Sequence, residues 1–141
     1  MRNRKQKTTT SNLWVEKYRP NTIDECLLPH RYQQALKGFL ARDEFPNLLL
    51  CGLPGIGKTS IAQAVINDFN RDSFTINSTI EPNVDTIRER VIGFAANKSF
   101  GGRQKAIIFD EAEYLNKVTT QPALSRCIEQ FPNCRYILTC N

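Results

Sequence analysis

The sequence is poor in residues that bind structural metals. It contains one histidine, His30, and five cysteines, none of them in a C-x-x-C pair. A zinc site is therefore not expected, because structural zinc sites are built from closely spaced Cys and His ligands. An odd number of scattered cysteines fits reduced, buried thiols that act as small apolar side chains in a reducing compartment.

Long hydrophobic runs and a strong excess of one charge are also absent. No apolar stretch is long enough to cross a bilayer, and the polar N-terminus lacks the apolar core of a secretion signal, so we expect a cytoplasmic protein (host cytoplasm if viral) with no membrane partner. Four of the 19 Lys and Arg residues lie in the first seven positions, and the remaining 15 nearly balance 14 acidic residues. Global charge thus favours a nucleic-acid partner only weakly.

The length of 141 residues suits one domain with a sizeable core. Residues 1–12 are basic and then rich in Thr and Ser, which predicts a disordered tail, with an arm that touches DNA as the alternative. Residues 13–46 predict a surface segment with short helices, in which Trp14 and Tyr18 pack against the core. Residues 47–141 contain the motifs that carry chemistry.

The strongest motif is Gly52-Leu-Pro-Gly-Ile-Gly-Lys58-Thr59, between an apolar run at 47–51 and a helical pattern. A glycine-rich loop between a buried strand and a helix binds phosphate, because backbone amides can approach the anion and the helix dipole attracts it. Lys58 adds a positive charge for the β- and γ-phosphates, and Thr59 offers a hydroxyl ligand to Mg²⁺. A turn that happens to carry a lysine is the alternative, but the strand, spacing and helix all agree with the phosphate-binding motif.

A second motif ends the apolar run 105–109 with two carboxylates, Asp110 and Glu111. Nucleotide hydrolases carry such a pair at the carboxyl end of a buried strand. We expect this strand to lie beside the one that leads into the glycine-rich, phosphate-binding loop (the P-loop). Asp110 would then hold the Mg²⁺ shell, usually through water, and Glu111 would orient or deprotonate the attacking water. Alone, the pair would be read as an acidic helix start; the upstream P-loop favours the catalytic interpretation.

Strand and helix patterns alternate through the rest of the chain. Strands are predicted at 73–77, 105–110 and 134–141, and helices after the P-loop, at 84–94, and from Thr119 or Thr120, either of which could cap the helix, to Phe131. This alternation predicts an α/β fold with a parallel sheet whose ligand lies at the carboxyl ends of the strands. Asn141 would end the last strand there and could sense the γ-phosphate; an Asn that only caps the strand is an equally good alternative.

Taken together, these motifs resemble the ATPase subunits of sliding-clamp loaders, which are replication factor C-like proteins of the AAA+ class. The resemblance is carried by Trp14-Val-Glu-Lys-Tyr-Arg-Pro20, the P-loop, the Asp110-Glu-Ala-Glu113 box and Leu138-Thr-Cys-Asn141, which is similar to the family's sensor 1 strand. Segments 17–29 and 100–105 look most similar to the large ATPase subunit of T4-type phage clamp loaders. The resemblance spans residues 13–141 and implies a three-layer αβα P-loop AAA+ fold.

The resemblance also implies ATP and Mg²⁺ as cofactors and assigns site residues. The adenine and ribose would be bordered by Val15, Glu16, Lys17, Tyr18 and Leu27. The phosphates and Mg²⁺ would be held by Gly55, Ile56, Gly57, Lys58, Thr59 and Ser60. The metal-binding residues would be Thr59 and Asp110. The catalytic residues would be Lys58, Glu111 and Asn141.

The implied function is an ATPase that opens a DNA polymerase processivity clamp and loads it onto primer–template DNA during replication. Its partners would be the other subunits of a five-membered ring, the clamp and the DNA, with Arg88 and Lys117 at two helix starts as candidate phosphate contacts. Solvated helix ends are the alternative for those two residues. Another AAA+ motor, such as a helicase loader or Holliday-junction ATPase, and a non-catalytic assembly module are the alternatives for the whole chain.

The sequence departs from that family beyond the sensor 1 strand. The family's arginine finger, lid with sensor 2 and collar are not in these 141 residues, so we expect an incomplete core that binds nucleotide weakly and hydrolyses it poorly. An arginine finger is worth ~10³ or more in rate. Ser125-Arg-Cys127 has the finger motif's letters but precedes the sensor strand, so Arg126 is not assigned that role. The four-cysteine zinc module of bacterial loaders is also absent.

Overall fold

A computed structural model of the protein describes residues 13–80, 83–97, 99 and 103–141. The helices are α1 (Trp14–Lys17), α2 (His30–Arg42), α3 (Lys58–Phe69), α4 (Val84–Ala96) and α5 (Thr120–Gln130). The strands are β1 (Leu48–Cys51), β2 (Ser73–Asn77), β3 (Lys105–Asp110) and β4 (Cys134–Cys140), and short 3-10 helices cover Ile23–Glu25 and Ala112–Tyr114. The tail predicted at 1–12 and most of segment 98–102 lie outside the described residues.

The four strands form one parallel sheet in the order β1-β4-β3-β2, which confirms the predicted sheet. One expectation about it was wrong, because the strand that ends in Asp110 is not beside the P-loop strand; β4 lies between them. Tyr136 and Ile137 of β4 are fully buried on opposite faces, and such a strand needs neighbours at both edges and helices on both faces. All the carboxyl ends still meet at one edge of the sheet, so Asp110 remains close to the start of α3.

Two apolar clusters cover the two faces of the sheet, which confirms the three-layer arrangement. One cluster joins α4 and α5 to the sheet through Ile87, Val91, Phe109, Leu124 and Tyr136. The other joins α2, α3 and the first 3-10 helix to the sheet through Ile23, Leu36, Val65, Phe69, Ile108 and Ile137. Segment 13–46 therefore shares its core with the P-loop helix.

The P-loop strand β1 is less buried than its sequence predicts. Leu48 and Leu50 pack toward α2 and α3, whereas Leu49 on the other face is 63% exposed. Among the described strands β1 is at the edge of the sheet. Helices α4 and α5 pack against β2, β3 and β4, so no described helix covers Leu49 on that face of β1. The prediction of a fully buried strand was therefore wrong.

The N-terminal segment is anchored by a different residue from those predicted. Trp14 and Tyr18 are 80% and 71% exposed and pack edge to face on one another, with ring centroids 6.5 Å apart, so the expectation that they pack against the core was wrong. Ile23 supplies the anchor instead: it is 1% exposed, and its N–H donates to the Asp68 carboxylate at 2.7 Å. An aliphatic side chain can be buried without a hydrogen-bond partner, whereas a buried Trp or Tyr needs a partner for its polar group, as Tyr136 has in the Cys127 carbonyl.

The start of α5 also differs from the prediction. Neither threonine side chain caps it. The buried Thr120 hydroxyl has no hydrogen-bond partner, and the Thr119 side chain makes no capping hydrogen bond. Instead the Asn116 carboxamide oxygen accepts from the N–H groups of Val118 and Thr119, at 2.8 and 3.1 Å, as Asn commonly does in turns before helices. Within the described part of the chain, no helix has the length and apolar character that a membrane span requires.

Candidate nucleotide-binding site

The loop between β1 and α3 has the backbone that a phosphate-binding loop needs. Gly55 and Gly57 have φ values of +80° and +91°, a region that residues with a Cβ rarely adopt. Apart from the adjoining residues of the chain, no heavy atom lies within 4 Å of the Cβ position of either glycine, so the space beside the loop is open. Helix α3 begins at Lys58, as predicted, and its free N–H groups point toward this space.

Lys58 connects the P-loop to the end of β4. Its ammonium donates to the carbonyl oxygens of Gly52 and Leu53, at 2.7 and 2.9 Å, and to the carboxamide oxygen of Asn141 at 2.8 Å. The residue predicted to bind phosphate and the residue predicted to sense it thus touch, although they are far apart in the sequence. A polyphosphate would have to replace some of these three neutral acceptors as the partner of the ammonium.

The two predicted metal residues also meet. The Thr59 hydroxyl donates to Asp110 Oδ1 at 2.8 Å. The same oxygen accepts from the hydroxyl of Thr139 at 2.6 Å, and the Thr139 oxygen in turn accepts from the backbone N–H of Glu111 at 3.0 Å. Thr139 is 1% exposed, so a buried hydroxyl fixes the direction of the Asp110 carboxylate.

The remaining acidic residues surround the end of β4. Glu111 has a left-handed backbone, with φ of 57°, and its carboxylate accepts a hydrogen bond from the Thr79 hydroxyl in the loop after β2. The Asn141 NH₂ group donates to Glu113, whose second carboxylate oxygen is buried without a hydrogen-bond partner. The Asn141 oxygen thus accepts a hydrogen bond from Lys58, and its NH₂ group donates one to Glu113. Glu113 therefore fixes which end of the carboxamide faces the lysine.

These groups line a cleft of about 290 Å³ at the carboxyl edge of the sheet. Its walls are formed by Pro54, Gly55, Gly57, Lys58, Thr59, Ser60, Asp110, Glu111, Glu113, Thr139, Cys140 and Asn141. A hollow of about 340 Å³ lies at the opposite end of the sheet, between the end of α4 and the start of β4, but no predicted site residue lines it. The chemistry therefore favours the smaller cleft.

Some predicted nucleotide contacts do not line this cleft. Ile56 is 56% exposed at the tip of the loop, and among the described wall residues none comes from segment 13–46. Tyr18 and Leu27 are 71% and 103% exposed, and Lys17 lies over the Tyr18 ring. Their predicted contacts with adenine and ribose stay predictions, and the side chains of Val15 and Glu16 lie outside the described residues.

The donor set fits Mg²⁺ bound together with phosphate. Thr59 and Asp110 supply hard oxygen ligands, and Mg²⁺ typically takes one or two protein oxygens beside phosphates and water. Over the described residues, no cluster of three or more His, Cys, Asp and Glu side chains could hold a metal alone. Three carboxylates face one lysine in the cleft, so a divalent cation would offset their excess negative charge and that of a nucleotide.

Sequence reasoning missed three residues of the site, namely Thr79, Glu113 as a partner of Asn141, and Thr139. Thr139 had a local signal, since it is a polar residue that directly follows the apolar run 136–138 in the strand that leads to Asn141. Thr79 had none, because its position beside Glu111 depends on the pairing of Asn77 with Asp110 between β2 and β3. Strand register is a non-local property that a single sequence does not reveal.

The parallel sheet, the P-loop at the end of β1 and the carboxylates at the end of β3 define an α/β protein of the P-loop class. The sequence profile of the ATPase family associated with various cellular activities (AAA) matches residues 48–141. The chain belongs to this family, as its motifs predicted.

Pairwise similarity to individual curated proteins leads to the same family. The chain is 41% identical over 136 residues to the replication factor C small subunit of Archaeoglobus fulgidus, covering 92% of this chain and 42% of that protein. It is 36% identical over 128 residues to the sliding-clamp-loader large subunit of Enterobacteria phage T4, covering 89% of this chain and 40% of that protein. The chain thus spans about two fifths of the length of these curated relatives.

Solved structures support the fold. A Thermotoga maritima RuvB structure, of the P216G mutant, superposes with a TM-score of 0.68 at 19% identity, covering 87% of this chain and 42% of that one. The RuvB Holliday junction branch migration motor of the same organism gives a TM-score of 0.66 at 21% identity, covering 86% of this chain and 41% of that one. At this identity the likeness concerns the fold alone.

Proposed function

We propose that the chain is the nucleotide-binding part of a sliding-clamp-loader ATPase subunit. The observation that carries this proposal is the extent of the similarity to clamp-loader proteins. The AAA match covers 94 residues, 48 to 141, whereas the match to the A. fulgidus protein covers 92% of the chain and so includes residues before the P-loop. The N-terminal segment, which favours the loaders although Holliday-junction motors share part of it, is included in that similarity.

The cleft supports ATP and Mg²⁺ as the ligands. The amides of Gly55 to Ser60 and the Lys58 ammonium would hold the phosphates, and Thr59 with Asp110 would hold the metal. Bound Mg²⁺ would neutralise phosphate charge that develops during transfer to water. Tyr18 and Leu27 present exposed apolar surface that suits an adenine ring.

Glu111 and Asn141 are the proposed catalytic groups beside Lys58. Glu111 lies next to Asp110 in the cleft wall, and its carboxylate would orient or deprotonate the attacking water once it leaves the Thr79 hydroxyl. Asn141 would contact the γ-phosphate once Lys58 turns from the carboxamide to the nucleotide. Among the described residues no arginine lines the cleft, so none supplies a finger to this site from within the chain, and we propose slow turnover for the chain alone.

The proposed partners are the other subunits of a five-membered loader ring, the sliding clamp and primer–template DNA. For DNA, Arg88 near the start of α4 and Lys117 before α5 are both exposed, and the two helices pack side by side. At α5 the amides of residues 118–121 already donate to Asn116. Contact there would therefore come from the Lys117 side chain rather than from the helix N–H groups.

The proposal is tested by ATP-dependent binding of a sliding clamp and by hydrolysis. Glu111→Gln should keep ATP binding and clamp binding but abolish the remaining hydrolysis, because the amide cannot accept a proton. Glu129→Gln, which removes an exposed carboxylate on α5, is the matched control and should behave like the unchanged protein. Clamp binding that does not respond to ATP in either variant would favour the non-catalytic assembly module.

The DNA contacts have their own test. Arg88→Ala and Lys117→Ala should weaken binding to primed DNA and lower its salt dependence by roughly one phosphate contact each. Arg126→Ala removes an equal charge from the middle of α5 and should leave DNA binding unchanged. If all three variants bind alike, the two helix starts are solvated ends and take no part in DNA binding.

A further inference from the structure

Two cysteine side chains meet at the edge of the cleft. Cys51 ends β1, Cys140 ends β4, and the two residues are paired directly in the parallel register. Their sulfur atoms are 3.0 Å apart. Paired strands lie about 4.8 Å apart, which is inside the Cα separation of about 4.4–6.8 Å that disulfides span. An S–S bond of about 2.05 Å would need the sulfurs to approach by only about 1 Å more.

This pair is also the accessible pair. Cys51 is exposed and Cys140 is half-buried, whereas Cys26, Cys127 and Cys134 are buried. The hydrogen bond with Cys51 is the main cause that raises the pKa of Cys140 to about 11, with partial burial second. The more exposed Cys51 is therefore the sulfur that meets an oxidant first.

We propose that Cys51 and Cys140 form a reversible intramolecular disulfide that holds the P-loop strand to the last strand of the sheet. With glutathione disulfide as the oxidant, the Cys51 thiolate attacks one of its sulfurs and releases one glutathione thiol. Cys140 then attacks the mixed disulfide at the Cys51 sulfur and releases the second glutathione. The two protein thiols lose two electrons and two protons in all, and the oxidant gains them as two glutathione thiols.

The disulfide would act on the nucleotide site through the residues next to each cysteine. Gly52 comes directly after Cys51 and Asn141 directly after Cys140, and both supply acceptors to the Lys58 ammonium. The Gly52 N–H also donates to the Cys140 carbonyl at 3.2 Å. A bond between the sulfurs would hold these acceptors in place around Lys58, and this closed arrangement competes with phosphate for the ammonium. Oxidation should therefore weaken ATP binding, and by linkage ATP should oppose oxidation.

The crosslink is tested on the 141-residue chain in buffers of glutathione disulfide and glutathione, with rapid alkylation and intact mass measurement. We expect the loss of two hydrogen masses, a single crosslinked peptide pair containing Cys51 and Cys140, and full reversal by dithiothreitol. The closed loop is long, so the melting temperature of the oxidised chain should rise by at least about 5 °C. Cys51→Ser should abolish all of these changes, while Cys26→Ser, whose hydroxyl can keep the hydrogen bond to the Thr22 carbonyl, should leave them intact.

The switch rests on the proposed function and is tested separately by the affinity for ATP–Mg²⁺. Oxidation should lower that affinity at least about fivefold, the lower end of typical coupling between two sites. Cys51→Ser should show no such change in the same buffers. Crosslinks only between chains, or stable glutathione adducts without a Cys51–Cys140 bond, would overturn the disulfide. A disulfide that leaves ATP affinity unchanged would overturn the switch. The mass measurement needs no nucleotide, so failure of the reduced chain to bind ATP would count against the proposed function and not against the disulfide.

Discussion

Replacing Thr139 by Val tests whether one buried hydroxyl positions the Asp110 carboxylate and the backbone of Glu111. The two side chains have nearly the same shape, so the change removes hydrogen bonds without a large change in packing. Thr139 donates to Asp110 and accepts from the N–H of Glu111. The variant therefore loses a bond to a charged group and leaves a partly buried N–H without its partner.

The expected cost is set by these two bonds. A hydrogen bond to a charged group contributes about 1.5–3 kcal/mol, and an unsatisfied buried donor costs about 1–3 kcal/mol. The apolar methyl group of Val returns about 1 kcal/mol. The net loss in the free energy of unfolding is then roughly 1.5–5 kcal/mol, which lowers the melting temperature by about 5–15 °C for a chain of this size.

Thermal unfolding and calorimetry check the prediction together. Thr139→Ser keeps the hydroxyl and loses only a methyl group, so its cost should be about 1 kcal/mol. With the Val variant, ATP binding should lose its dependence on Mg²⁺, because Asp110 no longer has a fixed direction, while Mg²⁺-free binding should change little. If Thr139→Val unfolds at the temperature of the unchanged chain and keeps its Mg²⁺ dependence, Thr139 does not position Asp110.

Two further predictions concern the loop and the core. Gly57→Ala should cost about 1–2 kcal/mol in stability, because Gly57 has φ of +91°. The same change should weaken ATP binding measured by calorimetry. As a control, Gly38→Ala in α2 should stabilise the protein slightly. Burial raises the pKa of the Cys134 thiol from about 9 to about 11, so the stabilisation from keeping it neutral is complete below about pH 9 and is lost as the pH rises toward 11. In denaturant titrations at these pH values, Cys134→Ala should lose less stability than the unchanged chain as the pH rises. An equal loss in both proteins would contradict the raised pKa of Cys134.

Much of the fold was predictable because it depends on local patterns. The glycine-rich loop, the start of α3 at Lys58 and the strand that ends in Asp110 can all be inferred from spacing, periodicity and the chemistry of phosphate binding. The contacts of Lys58 with Asn141 and of Thr59 with Asp110 were also expected in outline, because parallel strands bring their carboxyl ends to one edge.

The features that sequence reasoning missed depend on contacts between distant segments. The position of β4 between β1 and β3 is set by which strands pair, and the meeting of Thr79 with Glu111 is set by strand register. Trp14 was expected in the core because it is apolar, but a four-residue helix gives it no covering partner among the described residues. Composition indicates which side chains can be buried and does not indicate where the covering surface lies.

The central claim is that the P-loop binds a nucleotide through Lys58. It is tested most directly by calorimetry of ATP–Mg²⁺ with the unchanged chain, with Lys58→Ala, and with Lys37→Ala as a control for loss of a surface lysine on α2. A hydrogen bond to a charged group is worth about 1.5–3 kcal/mol, so Lys58→Ala should weaken binding at least about tenfold, and Lys37→Ala should not. If Lys58→Ala binds ATP as well as the unchanged chain does, the loop is structural and the non-catalytic assembly module becomes the better account.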